Sequence, residues 1–229
     1  MYGKHSVLAA LNNANRTIET ILCTQDVFDK EKELISKYKY EITSPNFITK
    51  ILGQDQNHQG IIAKVGSIFS NNINEIDFTK TNCRITILDQ ITDAHNIGSI
   101  IRSAAGFGID AIILSHDNSP DENGTIAKVA SGALELVKII KVTNLRTTME
   151  YLKKEGFWII GLDSNAEESI NKQLFTNKIV LALGSEDHGM RRLTKETCDY
   201  IVKIPMANKV ESLNVANSAA VAFYLSAQS

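Results

Sequence analysis

From residue 84 onward, short apolar runs alternate with stretches of helical periodicity, and few folds satisfy that pattern. The runs fall at 84–88, 111–114, 136–140, 158–161, 179–183 and 200–204, and most are built from Ile, Val, Leu and Ala. Runs this short, apolar throughout instead of at every second residue, suit strands buried on both faces, as in a parallel sheet. Helical spacing at 97–106, 125–132, 144–155 and 213–226 supplies the crossovers between them. The repeated strand–helix unit predicts a doubly wound α/β domain over 83–229.

The first part of the chain predicts a smaller α/β/α sandwich over 1–69. A turn and then a helix are expected within 2–14, with Val7, Leu8 and Leu11 on one side, and further helices at 28–38, on the surface, and at 45–52. Strands are expected at 17–23, 40–43 and 60–65. Ser44 is placed to cap the helix that opens on Pro45. Between the two parts, 70–82 is rich in Asn and has no sustained period, so it reads as a linker.

Composition narrows the setting. A formal charge of −2 argues against a non-specific polyanion binder, so any nucleic-acid contact must come from local basic patches. Cys23, Cys83 and Cys198 are odd in number and widely spaced, which points to a reducing cytoplasm and no disulfide framework. No stretch approaches the roughly 18 apolar residues of a membrane helix, and no signal-peptide pattern is expected at the start.

Ligands of open α/β sheets bind beyond the carboxyl ends of strands. Two polar loops stand there, 184–190 (GSEDHGM) and 205–212. Glycine at such a point lets backbone approach a ligand closely. Glu186 and Asp187 have two readings: a general-base pair, or caps of a following helix at 190–196. Arg191, Arg192 and Lys195 form a basic cluster that is either a solvated helix face or a phosphate contact. Ser212 is placed to cap the last helix, which leaves Asn214 in its first turn, an odd choice unless its amide is used. The small residues of 214–222 permit close approach by another helix, inside the chain or across a dimer. Arg102 lies on the polar side of the helix 97–106, where composition alone reads it as a surface charge. His95 has no second His or Cys at ligand spacing, so no metal site is expected. Gly106-Phe107-Gly108 closes a helix and is C-cap chemistry, not a dinucleotide fingerprint. No phosphate-cradling GxxxxGK[ST] loop occurs.

Three of these stretches match one family's motifs in order. NIGSIIRSAAGFG fits N-x-G-x-x-x-R-x-A-x-x-F-G, LGSEDHGM fits G-x-E-x-x-G, and IPMANKVESLNVANSAA fits I-P-M-x-x-x-x-x-S-L-N-V-(S/A). The chain resembles the SpoU (TrmH-like) RNA ribose 2′-O-methyltransferases of the SPOUT superfamily. YGKHSV, HQGIIAKV, LDQITDAHN and VTNL extend the likeness to the branch that acts on guanosine of bacterial 23S ribosomal RNA. Where close members of that branch generally carry glycine, this chain has Asn208, the next most tolerant residue for left-handed backbone.

The resemblance implies a trefoil-knotted catalytic domain and a ribosomal-protein-like RNA-binding domain ahead of it. It implies S-adenosylmethionine as cofactor, held at Gly184, Ile204 and Leu213, with no metal. It assigns activation of the ribose hydroxyl to Arg102, with Asn96 and Glu186 orienting loops and Ser212 and Asn214 bonding to cofactor or target ribose. It also implies a homodimer through the catalytic domain. Two other functions stay open at this point: the same chemistry on transfer RNA, and a catalytically silent ribosomal-RNA assembly factor.

Overall fold

A computed structural model describes residues 1–207 and 213–228. They form two compact units, Met1–Ile68 with Glu122–Leu136, and Phe69–Asp121 with Val137–Ser229.

In the first unit the elements are α1 (Lys4–Asn12), β1 (Ile18–Cys23), α2 (Gln25–Ile35), β2 (Tyr40–Ile42), α3 (Pro45–Leu52) and β3 (Ile61–Val65). β1 is the middle strand, parallel to β2 and antiparallel to β3. Ile21, Cys23 and Ile61 of the sheet pack with Val7, Leu11 and Ile35 of the helices, while Ile48 of α3 joins Tyr2 and Ile62 in a separate cluster. Ser44 caps α3 as expected, its Oγ accepting from the Phe47 N–H. The helix expected at 28–38 begins and ends three residues earlier. Val27, Phe28 and Ile35 are buried, and Tyr38 instead donates its hydroxyl to the Leu11 carbonyl at 2.7 Å.

The second unit holds β4 (Cys83–Asp89), α4 (Ala94–Phe107) and β5 (Ala111–Ser115). The chain then forms α5 (Gly124–Ala130), which belongs to the first unit. It returns as β6 (Lys138–Val142), α6 (Leu145–Lys154), β7 (Trp158–Leu162), β8 (Glu168–Ser169), β9 (Lys178–Gly184), α7 (Arg192–Thr197), β10 (Tyr200–Lys203) and α8 (Val215–Ser226). All strand pairs are parallel, in the order β6-β5-β4-β9-β7-β10-β8. β4 and β9 run side by side from Cys83↔Lys178 to Asp89↔Gly184. Both are covered on two faces, which is why their sequences are continuously apolar.

Two features differ from the domains drawn in sequence order. Glu122–Leu136 packs with the first unit: Ile126, Ala127 and Ala130 are buried, and Ser6 Oγ donates to the Ala127 carbonyl at 2.7 Å. The stretch expected as a linker, 70–82, does not hang free. Ile76 enters the core of the second unit, Phe78 packs edge-on against Phe157, and Ser70 bridges to β6. β6 itself starts two residues later than expected, because Leu136 is exposed at the end of the segment given to the first unit. Gly108 closes α4 at φ 72°, the left-handed cap expected of it. No helix among the described residues is long and apolar enough to cross a membrane.

Candidate active site

The carboxyl ends of β7, β9 and β10 open onto a cleft of about 470 Å³. Its apolar lining includes Leu162, Leu183, Ile204, Met206 and Leu213, and its polar lining includes Asp163 and Glu186. Gly184, Ile204 and Leu213, the three positions expected at a cofactor, all line it. Burial works against ionisation of Asp163, but the Lys195 ammonium at 2.6 Å and the Asn165 N–H at 2.8 Å outweigh it and hold the carboxyl below its ordinary pKa.

The loop after β9 folds back on itself. Ser185 and Gly189 exchange backbone hydrogen bonds of 3.2 and 2.9 Å, and the His188 N–H donates to Ser185 Oγ. A Cβ on Gly184 would overlap the backbone of Gly189 and Met190, so only glycine allows the return. Met190 is buried beneath it.

Glu186 on that loop gathers two distant elements. Its Oε1 accepts from Asn214 Nδ2 at 2.6 Å, from Asn96 Nδ2 at 3.1 Å and from the Val215 N–H at 3.3 Å. Asn214 Nδ2 also donates to Asn96 Oδ1 at 2.9 Å. The start of α4, the loop after β9 and the start of α8 therefore meet at one carboxylate. Helix capping explains the precision. Asp93 accepts from the His95 and Asn96 N–H groups, so α4 begins at Ala94 instead of 97 and Asn96 sits in its first turn. Asn214 is itself the N-cap of α8, accepting from the Ala216 N–H at 2.9 Å, which corrects the assignment of that role to Ser212. Ser212 and Asn208 lie outside the described residues.

Other expectations change at this site. Neither Glu186 nor Asp187 caps α7, which starts after Arg191 without a side-chain cap. The basic cluster is already paired: Arg191 with Asp89, Arg192 with Glu196 and Lys195 with Asp163. Arg102 is exposed on α4, does not line the cleft, and forms no hydrogen bond or ion pair with a described residue. It follows Asn96 by six residues, about 120° from it around the helix and ~9 Å along the axis. Within one chain the structure thus unites Asn96, Glu186 and Asn214 but not Arg102. Sequence reasoning counts Asp89 with the polar loop that follows Leu88; the structure makes it the last residue of β4 and buries it, and an acidic residue directly at the end of an apolar run was the available signal.

Residues 84–224 match the model of the SpoU rRNA Methylase family, and residues 1–68 that of the RNA 2'-O ribose methyltransferase substrate binding family. The chain belongs to the SpoU rRNA methylase family. Among SpoU relatives, a protein of Vibrio vulnificus named 23S rRNA (guanosine-2'-O-)-methyltransferase RlmB is 36% identical, covering 98% of this chain and 94% of its own. The protein of that name from Escherichia coli K12 is 34% identical, covering 98% and 96%. The SpoU methyltransferase AviRb from Streptomyces viridochromogenes, solved with AdoMet, superposes at a TM-score of 0.85 with 20% identity over 100% of this chain and 88% of its own. An AdoMet-bound rRNA methyltransferase from Sinorhizobium meliloti gives 0.84 at 18% identity over 100% and 86%. These likenesses establish the SpoU α/β fold expected from the motifs.

Proposed function

We propose that this SpoU chain transfers a methyl group from S-adenosylmethionine to the 2′-hydroxyl of a guanosine in 23S ribosomal RNA. The observation that carries the reading is the match to relatives of that name across both units of the chain. The site fits the cofactor. A cleft of about 470 Å³ lies in the range of small-molecule pockets, and its walls set an apolar group, Leu162, Leu183, Ile204, Met206 and Leu213, against a larger polar share that includes Asp163 and Glu186, so an adenine and a charged amino-acid end both find matching surface. When bound, the cofactor supplies a methyl group activated by a sulfonium.

Gly184, Ile204 and Leu213 hold it in this reading. Glu186, hydrogen-bonded to Asn96 and Asn214, locks the cleft to the start of α4, so that alignment supplies much of the rate. Ser212 and Asn214 bond to cofactor or ribose. Arg102 acts on the RNA side. A guanidinium stays protonated at working pH and is no general base; it holds a substrate phosphate, which takes the hydroxyl proton, and stabilises the developing oxyanion. Its lack of a partner among the described residues supports delivery of Arg102 to a site completed by a second copy. Val221 and Tyr224, exposed on α8, support a homodimer through the catalytic domain. Late strands in interior positions, β9 between β4 and β7 and β10 between β7 and β8, support threading as a trefoil knot. Free thiols at Cys23, Cys83 and Cys198 support a cytoplasmic setting.

The test is transfer of labelled methyl to 23S RNA, with the modified nucleotide identified by mass spectrometry. Arg102→Ala is expected to lower turnover by about 10²–10³ while the fold survives. Turnover equal to wild type would remove Arg102 from the mechanism, and absence of any methylated ribose would sink the reading itself.

A further inference from the structure

Asp89 is the last residue of β4, and none of its surface reaches solvent. Its register partner on β9 is Gly184, the first residue of the folded-back loop. The Asp89 carboxylate uses both oxygens on the far end of that loop. Oδ2 accepts from the Arg191 backbone N–H at 2.9 Å, and Oδ1 from Arg191 Nε at 2.7 Å. The side chain of Arg191 is 40% exposed, so a solvated cation faces a dry anion. A buried carboxylate persists only where donors satisfy it, and among the described residues Arg191 supplies both.

Apart from the bonds of Glu186 to Asn96, Asn214 and Val215, the loop has few other ties. It must turn tightly because Gly184 leaves no room for a Cβ beside Gly189, and α7, into which it runs, has no side-chain cap of its own. Ser185 and Gly189 close the turn, yet these bonds are internal to the loop and do not fix it to the sheet. Asp89 joins its exit to the neighbouring strand, while register pairs its entry to that same residue. Both ends are then referenced to one buried atom group.

We infer that Asp89 is a positioning residue for the cofactor loop: by clamping Arg191 it sets where Gly184 faces the cleft and where Glu186 meets Asn96 and Asn214. The inference rests on the reading of the cleft as a methyl-donor site. Asp89 touches neither the cleft nor the expected reacting atoms, so it acts through the loop.

Calorimetry of the full-length protein with S-adenosylhomocysteine tests it. Wild-type protein that binds no S-adenosylhomocysteine overturns the methyl-donor reading, and this inference with it. Given wild-type binding, Asp89→Asn should raise Kd about tenfold or more, the scale of a lost charged hydrogen bond. Arg191→Ala keeps the backbone N–H bond and should raise it about threefold. Affinity for 23S RNA should stay within about twofold, because the first unit is untouched. A merely structural role would lower the melting temperature and both affinities together. Should Asp89→Asn not fold, Arg191→Ala, at a half-exposed side chain, carries the test alone. A Kd within about twofold of wild type in the folded variants, or parallel loss of both affinities, overturns the inference.

Discussion

Arg16→Met should cost this protein more stability than any surface change of similar size. The Arg16 side chain is fully buried, and so nearly are its partners Glu122 and Glu135, at 7% and 4% exposure. The guanidinium donates to Glu122 Oε1 at 2.7 Å, to Glu135 Oε1 at 2.5 Å and to the Gly66 carbonyl at 2.7 Å. Glu122 and Glu135 lie at the two ends of the segment that returns to the first unit, so one cation secures both ends of it. Removing Arg16 leaves two carboxylates in a dry site. Breaking a buried pair by deleting one partner costs about 3–5 kcal/mol, far above the worth of an exposed pair, because the stranded charge keeps its desolvation penalty. For a chain of this length that corresponds to a fall in Tm on the order of 10 °C. The comparison is Lys64→Ala, which breaks an ion pair with Glu19 at 72% and 47% exposure and should leave stability nearly unchanged, because solvent screens the pair. Urea denaturation followed by circular dichroism measures both, and limited proteolysis should find 122–136 released in Arg16→Met alone. A loss below about 1 kcal/mol, or one equal to that of Lys64→Ala, would refute the argument that this buried network holds the segment.

Gly184→Ala should abolish measurable S-adenosylhomocysteine binding in calorimetry, since the added methyl overlaps the backbone of Gly189 and Met190; retained affinity would move the pocket elsewhere. Burial pushes the Cys198 thiol up from its ordinary value to about 12, with the Asp199 and Asp89 carboxylates adding to the effect and nearby Lys153 opposing it. The folded state thus keeps a proton the unfolded state gives up above pH 9.0, so this contribution to stability is complete below that pH and falls away as pH climbs toward 12. Native protein should accordingly resist iodoacetamide at Cys198 near pH 8, and rapid alkylation there, located by peptide mass spectrometry, would contradict the burial.

What was legible in the sequence was local. The apolar runs of β4, β5, β7, β9 and β10, the Ser44 cap and the Gly108 terminus each depend on a few consecutive residues, and each appears close to where periodicity and capping chemistry put it. The three motifs reached further, because their residue types are tied to one chemistry. β8 escaped because a two-residue strand has no period to detect.

Tertiary structure decided the pairings. Hydrophobic spacing reports which face of an element is buried, not which neighbour buries it, so nothing in the run 122–136 told which unit would claim it. The order of the sheet is of the same kind: β9 lies between two strands that precede it in the chain. Asn214 meets Asn96 across 118 residues, and Arg191 meets Asp89 across 102. Such contacts exist only where the folded backbone brings distant elements within about 3 Å, whether to satisfy the buried Asp89 or to join the more exposed Asn214 and Asn96, and no linear pattern encodes that.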